Sequence, residues 1–197
     1  MPQDPIKFQH KVILEWVEFH SSVLDLGCGD GELLSVLTQQ KKVNGHGIDI
    51  NEQAIYDCVK RGLSVSHEDL ATGLSEYPDR SFDYVILNQS FQEVRKPDFV
   101  LKEAMRVGKK VIVSLPNFAY YAARIQISFR GKVPVTSALP YTWYDTPNLH
   151  FLSILDFVEY CNKRGIKIEK SVFTRKDRRV RFFPNLFAEI GFFLLSR

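Results

Sequence analysis

The stretch Val23-Leu24-Asp25-Leu26-Gly27-Cys28-Gly29-Asp30-Gly31, with Asp49 closing a second apolar run 18 residues further on, constrains the fold more than any other part of this chain. A short apolar run ending in an acid and closely spaced glycines can finish a strand, turn sharply and bring bare backbone against a ligand. Glycine spacing then narrows the ligand. A dinucleotide loop starting at Gly27 and Gly29 wants its third glycine at position 32, where Glu32 stands. A P-loop wants Lys followed by Ser or Thr after its second glycine, and neither is present. What fits is an adenosine without phosphate, its ribose hydroxyls received by Asp49 at the carboxyl end of the run 43–48. Taken alone, Asp49 reads as a helix-capping acid at a strand exit; the glycine loop in register with it points to the ribose.

Around this loop, apolar strand-like runs at 22–26, 43–48, 63–67, 82–88 and 109–115 alternate with segments of helical period. That alternation predicts an α/β fold with a doubly wound parallel sheet. The first crossover helix, from about Gly31 to Gln40, turns Leu33, Leu34 and Leu37 to the sheet. In the second, Asn51 caps a stripe of Ala54, Ile55, Cys58 and Val59 that stops at Lys60-Arg61-Gly62. Pro97 opens another helix with Phe99, Val100, Ala104 and Met105 as its apolar face and Gly108 after it. Further on, Ser153 and Asp156 form a capping box, Leu155, Val158 and Cys161 share a face, and Gly165 ends that helix. A strand from about Ile166 to Phe173 and an apolar run from Leu186 to Leu195 then suit an antiparallel hairpin. Helical spacing at Phe8, Val12, Ile13, Trp16 and Val17 predicts an N-terminal helix that packs across the sheet edge or over the pocket.

The loop, Asp49, Asp69-Leu70 and the run Phe82 to Asn88 stand in an order that resembles the class I S-adenosylmethionine-dependent methyltransferases. The resemblance covers most of residues 20–117 and implies a Rossmann-like, mostly parallel seven-stranded sheet whose last strand is reversed. It also implies that Asp25, Gly27, Gly29 and Gly31 line the amino-acid end of S-adenosylmethionine or S-adenosylhomocysteine. Asp49, with Ile50 beside it, would take the ribose, Asp69 and Leu70 the adenine, and Asn88 and Gln89 the floor near the sulfonium.

Composition sets the remaining bounds. With 197 residues, 45% of them hydrophobic, and no Pro-, Gly- or Ser-rich linker, the chain suits one domain over residues 1–197. A net charge of +3 is too mild to imply a nucleic-acid partner by itself. Cys28, Cys58 and Cys161 lie far apart, so neither a metal site nor a disulfide framework is expected, and a reducing cytoplasm suits them. Met1 to His20 carries charges throughout and shows no leader pattern, so a soluble protein without a membrane segment is expected.

A sulfonium makes its own methyl group an electrophile, so such an enzyme chiefly aligns donor and acceptor. Only an acceptor that must lose a proton needs a general base. Glu93 just past the fourth strand, His150 and Asp145 are the candidates, against readings as a solvated helix-start acid for Glu93 and a buried or capping histidine for His150. Between residues 118 and 151 lies an aromatic insertion with Tyr120, Tyr121, Phe129, Tyr141, Trp143 and Tyr144, broken by Pro134, Pro140 and Pro147. It reads as a lid. Arg124, Arg130 and Lys132 suit a substrate carboxylate or plain solvated surface.

The block Leu139 to Asn148, together with Val23 to Gly31, Asn88 to Val94 and Leu115-Pro116-Asn117, looks like the methionine-biosynthesis MetW family over nearly the whole chain. This resemblance implies a methyltransferase-like protein that works beside a separate homoserine O-acyltransferase (an O-acetyltransferase, for example) and acts on a small methyl acceptor that the resemblance does not fix. A rival from another class is a subunit that senses S-adenosylmethionine and controls the acyltransferase without methyl transfer. Finally, Arg175, Lys176, Arg178, Arg179 and Arg181, followed by Phe182 and Phe183, form a basic run. Most such runs are plain solvated surface; of the two binding readings, nucleic acid is the weaker and an acidic protein face the stronger.

Overall fold

The computed structural model describes residues 6–197; residues 1–5, the start of the stretch read as lacking a leader pattern, lie outside it. Two compact units make up the described chain. One runs to Asn88 and takes in Lys96–Ile112, and the other comprises Gln89–Arg95 and Val113–Arg197.

The first unit holds α1 (Phe8–Trp16), β1 (Ser22–Leu26), α2 (Glu32–Lys41), β2 (Asn44–Asp49), α3 (Glu52–Lys60), β3 (Ser64–His67), a 3-10 turn (Leu70–Thr72), β4 (Phe82–Asn88) and α4 (Pro97–Val107). Strand β5 (Gly108–Pro116) begins in this unit and ends in the other. Strand order here is β3-β2-β1-β4-β5. β1 runs parallel to β2 and β4, and β2 to β3, as helical crossovers require. Leu33, Leu34 and Leu37 of α2 are buried as their spacing predicts. The Asn51 side chain caps α3 by accepting from the backbone N–H groups of Gln53 at 2.9 Å and Ala54 at 3.1 Å.

Two helix faces differ from expectation. In α3 Cys58 is buried while Val59 is 58% exposed, because consecutive residues of a helix point about 100° apart and this helix buries a narrower stripe than the four residues suggested. In α4 Pro97 does open the helix, and Val100, Leu101, Ala104 and Met105 are buried, yet Phe99 is 38% exposed. Its ring lies instead against Gly73, where a Cβ would come within 2.9 Å of Phe99 Cζ.

In the second unit lie the end of β5, α5 (Tyr121–Arg130), α6 (Ile154–Arg164), β6 (Lys167–Arg175), β7 (Arg178–Arg179), α7 (Pro184–Phe187) and β8 (Ile190–Ser196), with strand order β5-β8-β6-β7. β8 is antiparallel to β6, the reversed pairing that the sequence predicts, and β7 adds an eighth, two-residue strand to the seven expected. The run from Leu186 is not strand throughout. Pro184 opens a single helical turn, and extended structure starts only at Ile190. On α6 the capping box is present, with Asp156 N–H donating to Ser153 Oγ at 3.2 Å and Ser153 N–H to Asp156 Oδ2 at 2.8 Å. Its buried face is Ile154, Phe157 and Cys161, and Leu155 is exposed. Phe157 decides this, since its ring packs 4.7 Å from that of Phe193 and edge-on to Phe91 at 5.6 Å.

The aromatic insertion contains α5, which ends at Gly131 with φ +60°, ahead of the three prolines that break regular structure. Beyond it Trp143 and Tyr144 are 72% and 74% exposed. Among the described residues no helix is long and apolar enough to cross a membrane.

Candidate functional site

The carboxyl ends of β1 to β4 share one edge of the first unit's sheet, where open α/β sheets bind ligands. Leu26 lies opposite Ile48, Asp25 opposite both Gly47 and Ile86, and Asp49 opposite His67. This register sets the glycine loop beside Asp49. Gly27 and Cys28 N–H both donate to Ile48 O, at 2.8 and 3.0 Å, and Gly31 N–H donates to Cys28 O at 3.0 Å. The turn needs left-handed backbone at Gly27, Gly29 and Gly31, with φ of +74°, +53° and +74°. Gly31 is required twice over, because a Cβ there would meet Leu63 Cδ1 at 2.4 Å and Cys58 Sγ at 2.7 Å. At Gly29 a Cβ would meet nothing within 4 Å, so that part of the loop presents bare backbone to open space.

Asp49 holds the loop in place. Its Oδ2 accepts Gly29 N–H at 2.8 Å and its Oδ1 accepts Asn51 N–H at 2.8 Å, leaving each oxygen a further lone pair for a hydroxyl donor. Ile50 beside it is 64% exposed, an apolar surface next to a carboxylate. Asp69 caps the 3-10 turn through Ala71 N–H at 2.8 Å and is itself exposed, while Leu70 is buried beneath it. Asn88 closes β4 half-buried. Gln89 belongs to the second unit, with φ +57° and its N–H shared between the carbonyl and hydroxyl oxygens of Ser114 at 3.1 and 3.0 Å.

Asp25 is the unusual group. It is 1% exposed and its Oδ1 has no hydrogen-bond partner. Burial first, and then the charge of Asp49, push its carboxyl up to about 7. A buried acid with an orphaned oxygen beside a second carboxylate is matched to a ligand that carries positive charge or donates hydrogen bonds.

Several contacts around the loop are not visible in the sequence. Glu32, which breaks the dinucleotide spacing, forms an ion pair with Lys7 and lies 3.9 Å from His10 Nδ1, tying α1 to the start of α2. Burial holds the His10 ring below its ordinary pKa, opposed by the charge of Glu32. The Cys58 thiol donates to Gly29 O at 3.2 Å. Helical spacing flagged a buried face for α1, but nothing local in the sequence pairs residues 25 positions apart.

In the second unit, Glu93 and Asp145 are exposed. His150 is half-buried, with Nε2 3.1 Å from Val94 O and its N–H on Gln92 O at 3.0 Å, so it sits beside the segment that carries Glu93. Gln92, which the sequence did not flag, is 3% exposed and its Oε1 has no partner. Asn117 proves to be a structural hub rather than a reacting group. Its Nδ2 donates to Asn185 O at 3.0 Å and Ala188 O at 2.8 Å, and its Oδ1 accepts Ala119 N–H at 3.2 Å and Ile154 N–H at 3.3 Å.

Comparison with known proteins places the family and the fold. Residues 7–195 match the family model described as methionine biosynthesis protein MetW. A bifunctional methionine biosynthesis protein MetXA/MetW of Rhodopirellula baltica is 33% identical over 195 residues, 94% of this chain and 31% of that protein. The chain spans about a third of the length of the curated relatives it matches. Among solved structures, a SAM-dependent methyltransferase of Thermotoga maritima superposes with a TM-score of 0.68 at 19% identity, covering 95% of this chain and 87% of its own. The cyclase SpnF superposes with a TM-score of 0.67 at 16% identity, covering 95% and 80%. At such identities the superpositions show a shared fold, the Rossmann-like methyltransferase fold, and the cyclase shows that this fold is not tied to one reaction. With nearly its whole length matched by the family model, the chain belongs to the MetW family.

Proposed function

We propose that this chain binds S-adenosylmethionine or S-adenosylhomocysteine at the carboxyl edge of the first unit's sheet, as a methyltransferase-like protein that acts with a homoserine O-acyltransferase in methionine biosynthesis. The observation that carries the ligand is the buried Asp25, with its orphaned oxygen, beside Asp49 and an open, glycine-lined turn. Both ligands carry an ammonium at the amino-acid end, and S-adenosylmethionine adds a sulfonium. Two nearby carboxylates with no ion-paired cation among the described residues suit that charge. Asp49 would receive the ribose hydroxyls on its remaining lone pairs, Ile50 and Leu70 would offer apolar contact to the base, and Asp69 would accept from the adenine amino group. Arg61, which reaches the loop, is paired with the Asp30 carboxylate at 3.0 Å rather than left for a phosphate, which agrees with a nucleoside rather than a nucleotide.

The partner reading is supported by the Rhodopirellula baltica relative, whose name joins a MetXA part and a MetW part in one polypeptide. The bound donor would serve methyl transfer to a small acceptor, its sulfonium supplying the electrophilic methyl group and the chain supplying alignment. One observation favours a second use, ligand sensing without transfer. Glu93 and Asp145 are exposed, and the His150 ring nitrogen is already engaged by Val94 O. No buried acid–base pair among the described candidates stands ready to take a proton from an acceptor.

Titration calorimetry with both ligands tests the binding reading, which fails if neither binds the folded chain. Mass measurement after incubation with labelled donor, acyltransferase and homoserine derivatives separates the two uses. A mass gain equal to one methyl group supports transfer. Ligand-dependent acyltransferase activity with no methylated product supports sensing.

A further inference from the structure

The end of β6, β7 and the residues after it concentrate the chain's positive charge. Arg175, Lys176, Arg178, Arg179 and Arg181 stand against a single acid, Asp177, in a protein whose whole net charge is +3. All five cations are exposed. Phe182 and Phe183 follow them at 80% and 75% exposure, apolar area that a folded chain ordinarily buries. Phe183 is also held at φ +46° directly before Pro184. A bulky residue in left-handed backbone is strained, and a following proline disfavours helical backbone further, so local structure gains nothing from presenting this ring.

The root of this projection is rigid while its tip is open. Buried Glu189 accepts Lys176 N–H through Oε2 at 2.9 Å and Ser137 Oγ through Oε1 at 2.8 Å, and its own N–H donates to Thr174 O at 2.8 Å. The Arg175 guanidinium donates to Tyr121 Oη at 3.0 Å and lies over the Tyr120 and Tyr121 rings at 5.8 and 5.3 Å. Beside it a concavity of about 690 Å³ is lined by Arg175, Lys176, Asp177, Arg178, Arg179 and Val180. A preordered surface loses less entropy on association than a floppy one.

We propose that the β6–β7 hairpin with Arg181, Phe182 and Phe183 is the surface on which an acidic face of the acyltransferase docks. The proposal rests on the partner reading above and names the part of this chain that carries it. Protein is favoured over nucleic acid or membrane by the composition. Four of the five cations are arginines, whose planar forks pair carboxylates in bidentate fashion, and arginine and phenylalanine are enriched at protein interfaces where lysine is depleted. Asp177 in the wall of the concavity would repel a phosphate and can accept from a partner's amide or amine.

The test measures acyltransferase binding to the immobilised full chain by interferometry. Unmodified chain is compared with R178E/R181E and with Phe183→Gly, whose left-handed backbone suits glycine and whose melting temperature separates a folding defect from a loss of binding. The charge-reversal pair should weaken binding by about tenfold or more, and Phe183→Gly should weaken it while the chain melts no lower than before. Affinity of the unmodified chain should fall as salt rises from about 0.05 to about 0.5 M. Undiminished binding by both variants would overturn the surface and leave the partnership standing. No binding by unmodified chain overturns both. Capture of single-stranded RNA or anionic vesicles that the charge reversal abolishes, with acyltransferase binding unaffected, would also overturn it.

Discussion

Asp25 makes the proposed ligand site sensitive to pH, with a sign that geometry fixes. In the free protein its carboxyl sits at about 7 instead of 3.8, through burial and the neighbouring charge of Asp49. Between those two values the native state binds a proton that the unfolded chain has released. The contribution of Asp25 to stability is therefore greatest below 3.8, falls as pH rises through the window and levels off above about 7, a total on the order of 4 kcal/mol. Ligand binding has the opposite slope. A ligand that brings positive charge to Asp25 returns the carboxyl toward its ordinary range, so at acid pH binding must expel a proton. Each unit below 7 then weakens apparent affinity about tenfold, or about 100-fold in all between roughly pH 8 and pH 5, close to 2.7 kcal/mol. Calorimetry in buffers of different ionisation enthalpy counts the proton directly. Asp25→Asn should flatten both profiles and stabilise the ligand-free chain at neutral pH, while His10→Gln, which removes the nearby buried imidazole, should leave the slope intact. Affinity for S-adenosylmethionine that stays constant from about pH 5 to 8 in the unmodified chain would refute the argument.

Asp49→Ala should weaken the ligand by about 1.5–3 kcal/mol, since a charged acceptor for the ribose is lost, and it also releases Gly29 N–H; calorimetry reads the first and amide exchange the second. Gly31→Ala should destabilise the chain in urea by roughly 1–2 kcal/mol for left-handed backbone, with a further 1–3 kcal/mol where the new Cβ meets Leu63 and Cys58. Asn117→Ala leaves several backbone groups of the second unit unpaired and should cost about 2–4 kcal/mol by the same assay. Phe183→Gly should raise the melting temperature, the relieved strain of about 1–2 kcal/mol exceeding the added freedom of the unfolded chain.

The first unit was legible because its determinants are local. A glycine turn, an N-cap and a first-position proline act within a few residues, so Gly27 to Gly31, Asn51 and Pro97 carry their meaning in the sequence itself. The buried faces were less legible. Val59 and Leu155 are apolar yet exposed, since which of two adjacent stripes is buried depends on ring packing such as Phe157 on Phe193. Helix α5 lay hidden behind the aromatic content of its insertion, and the one-turn α7 behind the apolar run that continues into β8. At the site, Asp49 was visible by its spacing from the glycine loop and Asp25 through the family resemblance, but the orphaned oxygen of Asp25 exists only once the fold removes it from water. Glu32 shows the same limit from the other side. Its position excluded a dinucleotide, and its pairing with Lys7 and His10 became visible only in three dimensions.

The two proposed ligands would probe the two carboxylates differently. S-adenosylhomocysteine retains the ammonium of S-adenosylmethionine and lacks the sulfonium charge, so the difference in their pH slopes reports which cation the buried acid faces. If Asp25 answers the ammonium, both ligands expel the same proton, their profiles run parallel and the ratio of their affinities stays the same at every pH. If it answers the sulfonium, only the donor shows the full slope, and the ratio of affinities widens as pH rises through 7. The second pattern suits a protein that reports the level of donor, because a sensor is useful only when the spent form does not occupy it. The first suits neither sensing nor rapid turnover unless a partner biases the bound state, since a ligand shifts an equilibrium only by its differential affinity for the two forms. Measuring both slopes with and without the acyltransferase therefore tests ligand, use and partner on one axis.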